Sequence, residues 1–203
     1  MAAAPPQKQQ QRSVQTRAKL LRATIACVAK YGYVGATMDR IVAEAAVSRG
    51  AQGHHFPTKS LLMQAALQFN LDLMVADIRL QTDLIRERGD PPTEMFRHLW
   101  ATYFSKDTFA FTLELIVASR TDPELRGALI PVTERFREQI DESLQILNGG
   151  SPEMGIPNAT NLSMSLLRGL GIEMVLFGHP DYFQRQIDSW SDLLAAPRRD
   201  PDA

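Results

Sequence analysis

Cysteine is almost missing from this chain: among 203 residues only Cys27 occurs. That excludes a disulfide framework and a thiolate metal cluster. Cys27 falls inside a helical apolar repeat and reads as a small core residue, in keeping with a reducing cytoplasm. The four histidines, His54, His55, His98 and His179, show no metal-ligand spacing, so no metal and no cofactor are expected. Strand-type alternation is absent as well, and a glycine-rich phosphate loop needs a strand to follow. Long apolar runs are missing. The best stretch, near 158–177, is interrupted by Arg168 and Glu173, short of the ~20 apolar residues that span a bilayer. Carboxylate pairs such as Asp141 and Glu142 sit on a strongly charged helix and read as a solvated face. Nothing here assembles a catalytic group, and no enzyme is expected.

What the chain has is an uneven charge. The whole is nearly neutral, with 22 basic and 23 acidic residues. Up to Ser60, however, nine Lys and Arg stand against only Asp39 and Glu44, a net of +7; the remaining 13 basic and 21 acidic residues give −8. A basic front on an acidic body suits phosphate binding, because each neutralised phosphate releases condensed counterions. Charge alone fits a solvated basic face equally well. The pattern at residues 37–60 tips the balance. Ile41, Val42, Ala45 and Ala46 give one short helix an apolar face, and Val47 plugs a tight turn. Ser48 is a good N-cap for a second short helix that carries Arg49, Gln52, His54 and His55 and no carboxylate. A short exposed helix rich in donors suits insertion beside phosphates and guanine edges. The segment reads as a helix-turn-helix.

Upstream, Val14, Ala18, Leu21, Ile25 and Val28 recur at helical spacing, and Gly32 stands where a C-cap falls. Residues 1–11 lack the apolar stretch of a signal peptide and read as a flexible arm. The reader then occupies 12–58. Its first helix, turn and recognition segment resemble the amino-terminal domain of the TetR family of bacterial transcription regulators. The resemblance rests on Ala29 to Val42, Ala45 to Ala51 and His54 to Leu62, within Thr16–Ala66, about a quarter of the chain. It implies DNA contacts at Thr37, Ser48, His55 and Lys59 on the backbone. Arg49, at the first turn, is the expected base reader, with His54 beside it and Gly50, Ala51 and Gly53 on the same segment. Two positions depart from the family pattern, which has an apolar residue where Gln52 stands and a bulky one where Gly53 stands.

The rest, 59–203, reads as all-α, with about nine helices in the whole chain and the breaks at Gly89–Pro92, Asn148–Pro157 and Gly178–Pro180. Asp122 with Pro123 opens one helix, and Pro131 is expected to kink it. Aromatic and methionine clustering mostly means ordinary core. The resemblance raises the alternative of a small-molecule pocket, lined by Phe69, Leu73, Phe96, Trp100, Tyr103, Phe111 and Leu115, for a largely apolar effector. Two apolar stripes near the end are expected to form a homodimer interface: Leu162, Leu166, Leu170, Met174 and Phe177, then Phe183, Ile187, Trp190 and Leu194. Gly169 and Gly171 would permit close backbone approach there. The expectation is a cytoplasmic, dimeric repressor that binds double-stranded DNA at a palindromic operator and releases it on binding an effector, with no membrane partner. A regulator or activator without an inducer is the alternative.

Overall fold

The computed structural model describes residues 6–147 and 159–195; residues 1–5 of the expected arm and the expected loop at 148–157 lie outside the described residues. All of the regular structure described is helical. The helices are α1 (Pro6–Gly35), α2 (Met38–Glu44), α3 (Arg49–His55), α4 (Lys59–Arg88), α5 (Glu94–Leu99), α6 (Asp107–Ser119), α7 (Pro123–Leu147), α8 (Ala159–Phe177) and α9 (Pro180–Ala195). A π-helical turn, Trp100–Phe104, continues α5.

Glycines with positive φ end two of the long helices where the sequence placed the breaks. Gly32 (φ 70, ψ 170) closes the regular part of α1, and Gly89 (φ 70) follows α4; other residues take that conformation only with strain. Asp122 caps α7, accepting the Leu125 N–H at 2.9 Å. One expectation needs correction. α1 begins at Pro6, so residues 6–11 are helical rather than an arm; proline suits a first helical turn and the glutamines that follow are good helix formers. α7 runs from 123 to 147 as one helix with Pro131 inside it.

The chain forms two compact units, Met1–Asn70 with Ala110–Thr133, and Leu71–Phe109 with Glu134–Ala203. The boundary therefore falls inside α4 rather than at its start. In the first unit Leu20, Val28, Ile41, Leu62, Met63, Phe111, Leu115 and Leu125 are buried. In the second unit the core holds Ile78, Phe96, Leu99, Trp100, Leu167, Phe183 and Ile187. Cys27 is buried, as expected for a small core residue, and burial raises its thiol pKa. Among the described residues one helix has the length and mean hydropathy of a membrane span, and it is α4. Half of its 18-residue apolar window is buried within the protein, as in a core helix.

Candidate DNA interface

Two hydroxyl caps fix the reader's short helices. Thr37 and Ser48 have extended backbone, and their side chains accept the N–H of Arg40 at 3.3 Å and of Ala51 at 3.2 Å. Each such cap is worth ~1 kcal/mol, and its own O–H remains able to donate to a phosphate. Between the helices Ala46 takes the left-handed conformation (φ 51). The Val47 N–H reaches back to the Val42 carbonyl at 3.3 Å and the Ala46 N–H to that of Ala43 at 3.1 Å. This pairing closes a helix that ends in a left-handed residue. It sets the sharp turn that Val47, half-buried, plugs.

α3 is anchored on one face and bare on the other. Gln52 is 6% exposed, and its amide donates to the Phe56 carbonyl at the helix's end. A polar residue thus occupies an apolar position at no unsatisfied cost, because it completes a carbonyl the helix leaves open. Phe56 is buried in turn, with the Arg17 guanidinium 5.5 Å from its ring centre. Arg49, Gly50, Gly53 and His54 are exposed, and a Cβ built on either glycine would meet nothing within 4 Å. Ala51 and His55 are half-buried, so Ala51 faces partly inward. Burial, then His54 and Arg17, lower the His55 pKa. Arg49 forms an ion pair with Asp39 at 2.9 Å, the two side chains being 68% and 70% exposed. At that exposure the pair contributes little to stability, ~0.2–1 kcal/mol.

Lys59 is placed differently from a free phosphate clamp. Its ammonium donates to the Tyr33 carbonyl at 2.6 Å and lies 4.3 Å from that ring's centre. Burial lowers its pKa from the ordinary lysine value. It completes a carbonyl in the last turn of α1, an open acceptor by helix geometry. Sequence reasoning missed the partner, Tyr33, whose every polar group is used. Its N–H donates to Glu114 at 3.1 Å and its hydroxyl to Asp122 at 3.0 Å. Burial first, and the Asp122 bond second, push the phenol up to about 12. The Leu125 N–H, with help from the Tyr33 hydroxyl, holds Asp122 below the usual aspartate range. These contacts span 81 and 89 positions, and no local signal announces them.

The helix-turn-helix segment falls within a match to the model for bacterial regulatory proteins of the tetR family, over residues 20–66. Beyond that segment, the transcriptional regulator CymR of Pseudomonas putida is 32% identical over 187 residues, covering 91% of this chain and 92% of CymR. The chain belongs to the TetR family. It is a helix-turn-helix DNA-binding transcriptional regulator and not an enzyme. The transcriptional repressor AcnR of Corynebacterium diphtheriae is 31% identical over 129 residues, 64% of this chain and 63% of AcnR. The solved structure of FadR from Bacillus subtilis, in complex with stearoyl-CoA, matches with a TM-score of 0.67 at 15% identity. It covers 89% of this chain and 98% of that one, a likeness of fold.

For this TetR-family chain, the residues expected at a pocket are divided between the two units, and those expected at a dimer interface range from buried to exposed. Phe69, Phe111 and Leu115 belong to the first unit; Leu73, Phe96, Trp100 and Tyr103 belong to the second. No single unit gathers all seven. Phe96, Trp100, Phe111 and Leu115 are core, whereas Leu73 is 50% exposed. Within the second unit one polar feature is a triad. Asp77 Oδ2 meets His98 Nε2 at 2.6 Å and accepts the Tyr103 hydroxyl at 3.0 Å. His98 and Tyr103 are five residues apart, and the π-helical turn, whose bonds close over five residues, brings both to one oxygen. His98 also lines a cleft of about 350 Å³ with Gln81, Ile85, Arg88, Asp90, Pro91 and Glu94.

On α9, Phe183 and Ile187 are fully buried and Leu194 nearly so, inside their own unit. Trp190 is half-buried, and its indole N–H donates to Ser163 of α8 at 2.8 Å. Gly171 is buried against Phe109, where an added Cβ would come within 2.7 Å of the ring. Phe183, Ile187, Leu194 and Gly171 are thus buried within their own unit, and Trp190 is partly so. On α8, Leu162 and Phe177 are exposed, Leu166, Leu170 and Met174 are half-buried, and Gly169 is open. The exposed apolar set is Leu162, Ile172, Val175, Leu176, Phe177, Tyr182 and Leu193.

Proposed function

We propose that the protein is a ligand-responsive repressor that binds a palindromic operator as a twofold dimer and is released by a small amphipathic effector. The observation that carries the reading is α3. It is pinned by Gln52 and Phe56, carries no acid, and exposes Arg49, Gly50, Gly53 and His54. Such a helix fits a major groove, with Arg49 reading guanine and Thr37, Ser48 and His55 on the backbone. One reader covers half a site, so a dimer with readers about 34–36 Å apart is required. Support for the dimer comes from the apolar side chains that α8 and α9 expose, among them Leu162, Val175, Leu176, Phe177 and Leu193.

The repressor reading leans on AcnR, which bears that name. For an effector, FadR's structure contains stearoyl-CoA, and the second unit here offers the Asp77–His98–Tyr103 triad beside a polar cleft. A ligand that binds both DNA-bound and free forms equally shifts nothing, so effector binding must favour one spacing of the two readers. Titration of labelled DNA flanking the protein's own gene, with and without candidate effectors, tests this. Specific binding that an effector weakens supports it. Specific binding that no effector alters leaves a regulator without an inducer, and equal affinity for unrelated DNA overturns operator recognition.

A further inference from the structure

The first sixty residues hold only two acids, and one of them stands beside the recognition helix. Asp39 lies in the first turn of α2, and its Oδ1 meets Arg49 Nη1 at 2.9 Å. A carboxylate on a surface that must approach phosphates opposes binding by like-charge repulsion. The pair also contributes little to folding, since both side chains are about two-thirds exposed. The ion pair is too weak for its contribution to folding to explain why the two side chains meet.

Arg49's isolation does. The other arginine of these two helices, Arg40, is committed: its Nη1 donates to the Gly35 carbonyl at 2.8 Å and its guanidinium lies 4.8 Å from the Tyr31 ring centre. Arg49 is therefore the cation of α3, flanked by Gly50 and Gly53, whose surroundings are open. No neighbouring side chain of α3 limits where its long side chain points. Asp39 supplies the missing constraint from α2. With Nη1 held, Nε and Nη2 remain free, and a guanidinium presents paired N–H groups to guanine O6 and N7 only when its plane is set.

We infer that Asp39 is a specificity-determining residue that positions Arg49, orienting it for base readout and keeping it off the phosphates. This rests on the reading of Arg49 as a base contact. Asp39 touches no base itself. Without it, Arg49 is free to swing to the nearest phosphate, which gains affinity for any sequence and loses the penalty of a nearby anion. Random DNA then gains affinity while the operator also loses its oriented base contact, so the preference for operator falls, which a purely structural role of Asp39 cannot do.

The test measures affinity for operator and for random duplexes, across a salt series, with Asp39→Asn, Arg49→Ala and the double variant in the full chain. For Asp39→Asn the affinity for random DNA is expected to rise. Its salt slope steepens by about 0.9 for one added phosphate contact. The operator-to-random ratio is expected to fall about three- to tenfold, the cost of ordering one long side chain at the interface. In the Arg49→Ala background the same change leaves the ratio as it is. Asp39→Glu, which keeps the carboxylate one methylene further out, restores part of the ratio. An Asp39→Asn protein with unchanged ratio and slope overturns the proposal, as does an equal loss on both DNAs or the same effect without Arg49. If Arg49→Ala alone lowers both affinities equally, Arg49 is a phosphate contact, and it is the base-readout reading that falls.

Discussion

Replacing Gly53 by alanine tests whether the recognition helix is limited by its own backbone. Gly53 is exposed in the middle of α3, and its φ is not in the left-handed region. A Cβ there meets no atom within 4 Å. Alanine therefore brings its helix propensity, ~0.8–1 kcal/mol over glycine, without a clash. Part of that gain comes from restricting the unfolded chain. α3 is only seven residues long, so the realised gain should be about 0.5–1 kcal/mol. In a chain of this size that raises Tm by about 1–4 °C. A recognition helix ordered before it meets DNA also binds with a smaller entropy cost, so operator affinity should rise by up to about fivefold. Thermal denaturation gives the first quantity and fluorescence anisotropy with labelled operator the second. A lower Tm would show that glycine's freedom is needed at this position. A higher Tm with weaker operator binding would show that DNA backbone comes too close for a methyl group.

Other substitutions separate the core from the exposed faces. Phe183→Ala should lower stability by about 3–5 kcal/mol, because it empties a fully buried site. Leu176→Glu should change chemical stability little, since that side chain is 75% exposed, yet shift sedimentation from dimer to monomer. Lys59→Met should destabilise the fold by ~1 kcal/mol through the lost bond to the Tyr33 carbonyl while leaving the salt slope unchanged. A slope smaller by about 0.9 would return Lys59 to the phosphate contacts. Asp122 titrates below its unfolded value of ~3.9. Its contribution is present above that pH and lost as pH falls through the native value. Stability followed from pH 6 to pH 2 should fall less steeply in Asp122→Asn, and an unchanged profile would remove Asp122 from the acid response.

The sequence made the reader legible because its signals are local. Thr37 and Ser48 cap the helices whose starts they mark, and Gly32 and Gly89 sit where helix geometry ends. The stripe Phe183, Ile187, Trp190 and Leu194 was also a true helical face, but periodicity does not say what covers a face. Here the rest of the unit covers it, and the exposed line, Tyr182 and Leu193, runs one residue out of phase. The seven residues expected at a pocket are divided between the two units for a related reason. α4, α6 and α7 each pass from one unit into the other, and no change in pattern marks the crossing. The π-helical turn and the Tyr33 contacts depend on partners many residues away, which spacing along one helix does not encode.

As proposed above, two copies of this chain read one palindromic site through α3. Sedimentation and anisotropy on the same mixture of full-length chain and DNA flanking its own gene test it directly, at one stated salt concentration. Two chains per duplex are expected, with an affinity at least about 10³-fold above that for a scrambled duplex and with Arg49→Ala reducing that preference. A monomer on the DNA, or equal affinity for the scrambled duplex, would contradict it.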